Sequence, residues 1–179
     1  TSLSFTAISE SKSFSISSNT AWTISESLSW LSVSSTSGSN NSTIAVTCDA
    51  NTTTTTRTGT ISISGIGVST QSISIAQAAG SATLSVSPLN LSFGAPGGNQ
   101  TLNIKSNLVW SVSESLDWLS VNLNSGSNDG QVAITCANNP QTTNRTGNIT
   151  VAAPGVTSQV ITVTQSGVAP VVNVSPTAL

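Results

Sequence analysis

The chain repeats itself. Displacing its 179 residues by 88 positions lays Leu3-Ser4-Phe5 on Leu91-Ser92-Phe93, Trp22 on Trp110, and Trp30-Leu31-Ser32-Val33 on Trp118-Leu119-Ser120-Val121. The same displacement lays Ser37-Gly38-Ser39-Asn40 on Ser125-Gly126-Ser127-Asn128, Cys48 on Cys136, Arg57-Thr58-Gly59 on Arg145-Thr146-Gly147, and Gln77 on Gln165. Roughly two-fifths of the overlapping positions are identical, the mark of two copies of one structural unit. Val174-Ser175-Pro176 repeats Val86-Ser87-Pro88, so a third copy opens near the end. Each unit must close a core within 88 residues, which is enough for one modest core and too little for two. The repeat therefore predicts three segments: 1–81, a copy lacking its first strand; 82–169, a complete copy; and 170–179, the first strand of a third. A frame cut inside a copy at both ends reads as a sample from a longer array.

Apolar residues alternate with Ser and Thr over short runs. In the second copy, Leu84-Ser85-Val86, Leu91-Ser92-Phe93, Leu102 with Ile104, Trp110 with Val112, Leu119 with Val121, Val132-Ala133-Ile134-Thr135-Cys136, 147–151 and 159–165 all show the period of two that belongs to half-buried strands. Turn residues separate them: Ser87-Pro88, Ala95-Pro96-Gly97-Gly98, the polar loops 122–130 and 137–144, and Pro154-Gly155. About seven short strands with a turn every 8–12 residues predict an all-β fold, an immunoglobulin-like antiparallel sandwich in each copy. The spacing leaves no room for crossover helices. The joints 78–82 and 166–170 are short, so the sandwiches are expected to follow one another as a rod.

Composition excludes several functions. The basic residues are Lys12, Arg57, Lys105 and Arg145, too few to neutralise a run of phosphates, so nucleic acid is not a partner. No apolar run approaches membrane-spanning length. The 36% apolar content and net charge of −2 argue for ordered strands rather than a disordered Ser/Thr tract. Acid–base catalysis lacks candidates, since the chain has no histidine and none of its serines stands in a recognisable nucleophile–base pattern. We expect no enzyme activity and no cofactor. Cys48 and Cys136 are repeat equivalents that continue the apolar face of Ile44-Val46 and Val132-Ile134, so both read as small core hydrophobes rather than metal ligands. The loop Asn128-Asp129-Gly130 has a single carboxylate, too few for calcium.

Four residues remain as candidate ligand-binding groups: Trp30, Trp118, Arg57 and Arg145. Trp22 and Trp110 share a strand face with Ile24 and Val112 and read as core. Trp30 and Trp118 point opposite to Leu31 and Leu119, so they either cap the open end of the sandwich or offer an aromatic face to a sugar ring. Arg57 and Arg145 either pair with an acid of their own module, such as Glu26 and Glu114, or hydrogen-bond loop carbonyls, or grip a ligand carboxylate.

One repeat resembles the BACON domain, a module of Bacteroidetes surface and secreted proteins. The residues that carry the resemblance are Leu84-Ser85-Val86-Ser87-Pro88, Leu91-Ser92-Phe93, Gly97-Gly98, Ser106-Asn107, Trp110-Ser111-Val112-Ser113, Asp117-Trp118-Leu119-Ser120-Val121, Ser125-Gly126, Arg145-Thr146-Gly147 and Val163-Thr164-Gln165. The first copy departs at Ser9-Glu10, Ser29 and Ala76. The resemblance implies an immunoglobulin-like sandwich in an extracellular or cell-surface setting. It implies either a stalk or adhesin segment or a carbohydrate- or mucin-binding module, with glycans or neighbouring repeats of the same protein as partners. A third expectation concerns assembly. The trailing residues 171–179 match the strand that the first copy lacks, and strand addition between chains would build a filament.

Overall fold

The computed structural model describes residues 1–175. The chain divides into two compact units, Thr1–Ser81 and Ala82–Leu179. The first contains β1 (Ser2–Phe5), β2 (Glu10–Ile16), β3 (Ala21–Ser25), β4 (Leu31–Val33), β5 (Ser37–Ser39), β6 (Ser42–Cys48), β7 (Arg57–Gly65) and β8 (Val68–Gln77). The second contains β9 (Leu84–Ser87), β10 (Asn90–Phe93), β11 (Gly98–Ser106), β12 (Val109–Ser113), β13 (Leu119–Val121), β14 (Ser125–Ser127), β15 (Gly130–Cys136), β16 (Arg145–Ala152) and β17 (Gln159–Gln165).

Each unit is a two-sheet sandwich. The first has sheets in the order β1-β8-β7-β3-β5 and β2-β6-β4; the second has β10-β17-β16-β12-β14 and β13-β15-β11-β9. Pairing is antiparallel apart from one parallel pair per unit, β1 with β8 and β10 with β17. In the second unit the chain leaves one sheet at β9 and enters the other at β10, across a cis Ser87–Pro88 bond. Residues 166–175 form no strand; the rest of the strand expected over 170–179 lies outside the described residues at 176–179.

The period-two pattern explains the core. On β11 and β15, Leu102, Ile104, Val132 and Ile134 face inward and are almost wholly buried. They join one cluster with Trp110, Val112, Ile149, Val151, Ile161 and Val163 from the opposite sheet. Each such side chain contributes about 1.5–3 kcal/mol by leaving water. Both cysteines lie in these clusters, Cys48 in the first unit and Cys136 in the second, as free buried thiols.

The repeated Ser-Gly-Ser-Asn run holds a strand that the sequence reading assigned to loop. β5 pairs with β3, and β14 pairs with β12, so that Gly38 lies opposite Trp22 and Gly126 opposite Trp110. Three-residue strands of Ser and Gly carry no apolar alternation, which is why the pattern missed them. The glycine is required by close approach: a Cβ on Gly126 would stand 2.3 Å from Trp110 Cζ2, and one on Gly38 2.4 Å from Trp22 Cζ2. The next asparagine, Asn40 or Asn128, takes a left-handed conformation with φ of 60° or 58°. That region suits asparagine better than most side chains. Its carbonyl accepts the indole N–H, Trp22 Nε1 to Asn40 O at 3.0 Å and Trp110 Nε1 to Asn128 O at 2.8 Å. A buried indole N–H without such a partner would cost about 1–3 kcal/mol.

Candidate functional site

The four candidate residues meet in pairs at equivalent places in the two units. β16 opens with Arg145, and β7 with Arg57. The Arg145 guanidinium carbon lies 4.6 Å from the centre of the Trp118 ring, and that of Arg57 lies 4.5 Å from Trp30. Each tryptophan immediately precedes a short strand and is half-buried against its unit's core. Arginine over an indole face is the favourable cation–π arrangement.

The same arginines are held from the other side. Arg145 Nε donates to Gln165 Oε1 at 2.8 Å, and Arg57 Nε donates to Gln77 Oε1 at 2.8 Å. Arg145 Nη2 donates to the carbonyls of Ala137 and Asn138 at 3.1 and 3.0 Å; Arg57 Nη2 donates to Asp49 O at 2.7 Å. Pairing with Glu26 and Glu114 does not form. These glutamates instead accept the N–H groups of Leu28 and Leu116, at 2.6 and 2.7 Å. A carboxylate two residues ahead of an unpaired N–H satisfies it locally. The guanidinium is left to the loop carbonyls.

The glutamines close the network. Gln165 is 1% exposed; its amide donates to Ala137 O at 2.8 Å and to Gly94 O and Ala95 O at 3.2 Å each. Gln77 does the same with Asp49 O at 2.9 Å and Ile8 O at 3.4 Å. Sequence reasoning missed a second buried pair, Asn51 and Asn139. Asn139 Nδ2 donates to Thr143 O at 2.9 Å and Ser166 O at 3.1 Å, tying the loop after β15 to the exit of β17. Asn51 Nδ2 donates likewise to Thr55 O and Ala78 O, at 2.8 and 2.9 Å. Their signal was the retained asparagine at the 88-residue displacement, followed by the retained pair Thr54-Thr55 and Thr142-Thr143 in the same polar loop.

Burial pushes the Cys48 and Cys136 thiols above their ordinary range, against a smaller opposing pull from Arg57 and Arg145. Asp129 lies apart from the network. Its carboxylate accepts Lys105 Nζ at 2.6 Å and the Ser106 N–H at 3.0 Å, and the lysine hydrogen bond, followed by that N–H, holds its pKa below the usual carboxylate value. Among the described residues no group of three or more His, Cys, Asp or Glu is placed to hold a metal ion.

Two family models match in tandem. Residues 83–168 match the model described as "Viral BACON domain", and residues 20–78 match the BACON model described as "Putative binding domain, N-terminal". The chain belongs to the BACON family. Each matched segment coincides with most of one sandwich, and the BACON Arg-Thr-Gly and terminal Gln are the residues of the Trp–Arg–Gln network. A search of the curated proteins finds no match.

Solved structures resemble parts of the chain. A GH5 xyloglucanase of Bacteroides ovatus is 33% identical over 48% of this chain and 19% of its own, with a TM-score of 0.46. The Yersinia pseudotuberculosis adhesin InvE is 14% identical over 90% of this chain and 56% of its own, also at 0.46. The BACON chain thus spans about a fifth of the xyloglucanase and about half of the adhesin.

Proposed function

We propose that this tandem BACON segment is a non-catalytic stalk or spacer of a secreted or surface-displayed protein. The observation that carries the reading is the Trp–Arg–Gln network. It recurs in both units, and the arginine Nε, one of its terminal nitrogens and the glutamine amide are engaged within the unit. The guanidinium of Arg145 covers a face of Trp118, its Nε and Nη2 bond Gln165 and loop carbonyls, and the Gln165 amide bonds three carbonyls, that of Ala137 shared with the arginine. A platform for sugar stacking needs an open aromatic face, and a grip on a ligand carboxylate needs free guanidinium N–H groups. The network supports a structural assignment for Trp30, Trp118, Arg57 and Arg145, consistent with a module whose role is to set distance.

A carbohydrate- or mucin-binding module is the second reading, favoured by the binding-domain description of the family and by the half-exposed indoles of Trp30 and Trp118. Glycan-array and mucin-overlay binding separates the two. The spacer reading expects no saturable binding by the chain. Saturable binding that disappears in Trp118→Ala, with circular dichroism unchanged, would establish the binding module instead. The match of the second unit to a viral BACON model supports display on a virus particle as well as on a cell.

A further inference from the structure

In each unit one strand pair runs parallel among antiparallel neighbours. In the second unit it is β10 with β17, in register from Asn90 opposite Thr162 to Phe93 opposite Gln165. The ladder continues past both ends: the Thr162 N–H donates to Leu89 O at 2.9 Å, and the Ser166 N–H donates to Phe93 O at 3.0 Å. The first unit repeats the pair with β1 and β8, and its Ala78 N–H donates to Phe5 O at 2.9 Å. Side chains cross the same seam. Ser92 Oγ and Thr164 Oγ1 lie 3.2 Å apart, and the Gln165 amide donates to Gly94 O and Ala95 O, just beyond β10.

This pairing decides how a pull on the chain meets the unit. The chain reaches β10 through β9 and leaves from the end of β17. Two parallel strands start at one end of their seam and finish at the other. Tension therefore enters and leaves the β10–β17 seam at opposite ends, and it draws the strands lengthwise past each other. The ladder hydrogen bonds lie across that pull and bear it together. An antiparallel pair in this place would put entry and exit at the same end, and its bonds would open one after another. Each bond is weak by itself, so the barrier to forced unfolding depends on how many must break at once.

We propose that the parallel pair β10–β17 is a mechanical clamp, and that the unit is a link that carries tension along the chain. The proposal rests on the spacer reading and adds load to it. The clamp gives Gln165 a second task. It is the last residue of β17, and it holds the turn after β10 at the end of the seam where tension leaves. The exit beyond it is seated too: Asn139 Nδ2 donates to Ser166 O at 3.1 Å, and the Val168 N–H donates to Gln141 O at 2.8 Å. Those exit bonds peel in turn under a pull on residue 169, whereas the seam yields only as a whole.

The test is single-molecule pulling of the 179-residue chain through handles on introduced cysteines. Cys48 and Cys136 are buried and stay unlabelled in the folded chain. Leu89→Cys with Ala169→Cys attaches at opposite ends of the β10–β17 seam and loads it lengthwise, without passing through β9. Pro96→Cys with Ala169→Cys attaches at one end of the same seam and opens it as a zipper. All three positions are exposed, and equal urea midpoints of the two chains establish that only the direction of pull differs. A rupture force severalfold higher for the lengthwise pull, at one pulling speed, supports the proposal. Equal forces in the two directions overturn it, and so does a higher force for the zipper. Either of those results leaves the spacer reading in place, as a spacer that bears no load. Saturable glycan binding would overturn the spacer reading instead, and would leave the two rupture forces unchanged.

Discussion

Arg145 lies over Trp118, its guanidinium carbon 4.6 Å from the ring centre, while its Nε bonds Gln165. One side chain thus joins an aromatic cap, the first residue of β16 and the last residue of β17. Arg57 repeats the arrangement over Trp30 and with Gln77.

Replacing Arg145 with Ala should destabilise the second unit by about 2–3 kcal/mol, from the lost stacking and charge-assisted hydrogen bonds. Arg145→Lys should recover less than half of that, because a lysine cannot stack flat and fork at once. Urea denaturation followed by tryptophan emission reads the loss. A red shift of native emission in Arg145→Ala is the accompanying sign that Trp118 has gained water.

Gln165→Leu keeps approximate size and removes the polar end. It leaves the Arg145 Nε and the carbonyls of Gly94 and Ala95 without this partner. The expected cost is about 2–4 kcal/mol, at least that of Arg145→Ala, because several part-buried groups lose a partner at once. Thermal unfolding of the pair of variants decides the order; a smaller effect for Gln165→Leu would mean that water replaces the amide.

Gly126→Ala drives a methyl group into the Trp110 ring, at 2.3 Å from Cζ2. The indole has no free room, since its N–H is fixed on Asn128 O at 2.8 Å. Overpacking of this kind costs about 1–3 kcal/mol. A denaturation midpoint unchanged from the parent chain would show that β14 yields instead.

The buried thiols give a pH signature. Cys48 and Cys136 are raised above their ordinary 9.0, chiefly by burial. Above that value the unfolded chain releases these protons while the folded chain keeps them, so stability is full below pH 9.0 and falls as pH rises through the window up to the folded values. Replacing both cysteines with Ala should flatten the alkaline limb of a stability–pH curve measured from neutral to strongly alkaline conditions. In the parent chain at neutral pH, a thiol reagent should label both residues only after denaturant is added.

Much of this architecture was legible before any coordinates. The alternation at Val132-Ala133-Ile134-Thr135-Cys136 names a strand and its inner face, because side-chain direction along a strand is a local property. The pairing of Trp22 and Trp110 with apolar neighbours placed them in the core for the same reason. β5 and β14 were not legible, since their place depends on a distant indole and on backbone bonds rather than on any pattern of their own. Asn51 and Asn139 were hidden by the polar loops around them.

The sequence by itself determined the repeat, the strand faces and the family, all of which rest on residues read in order. Only the tertiary structure decided which partners Arg57 and Arg145 take. Glu26 and Glu114 are captured by their own local N–H groups, and the arginines turn to an indole, a glutamine and loop carbonyls. It likewise decided that β5 and β14 are strands, paired with β3 and β12. Strand pairing is a long-range contact, and a local pattern cannot tell whether the partner strand is there.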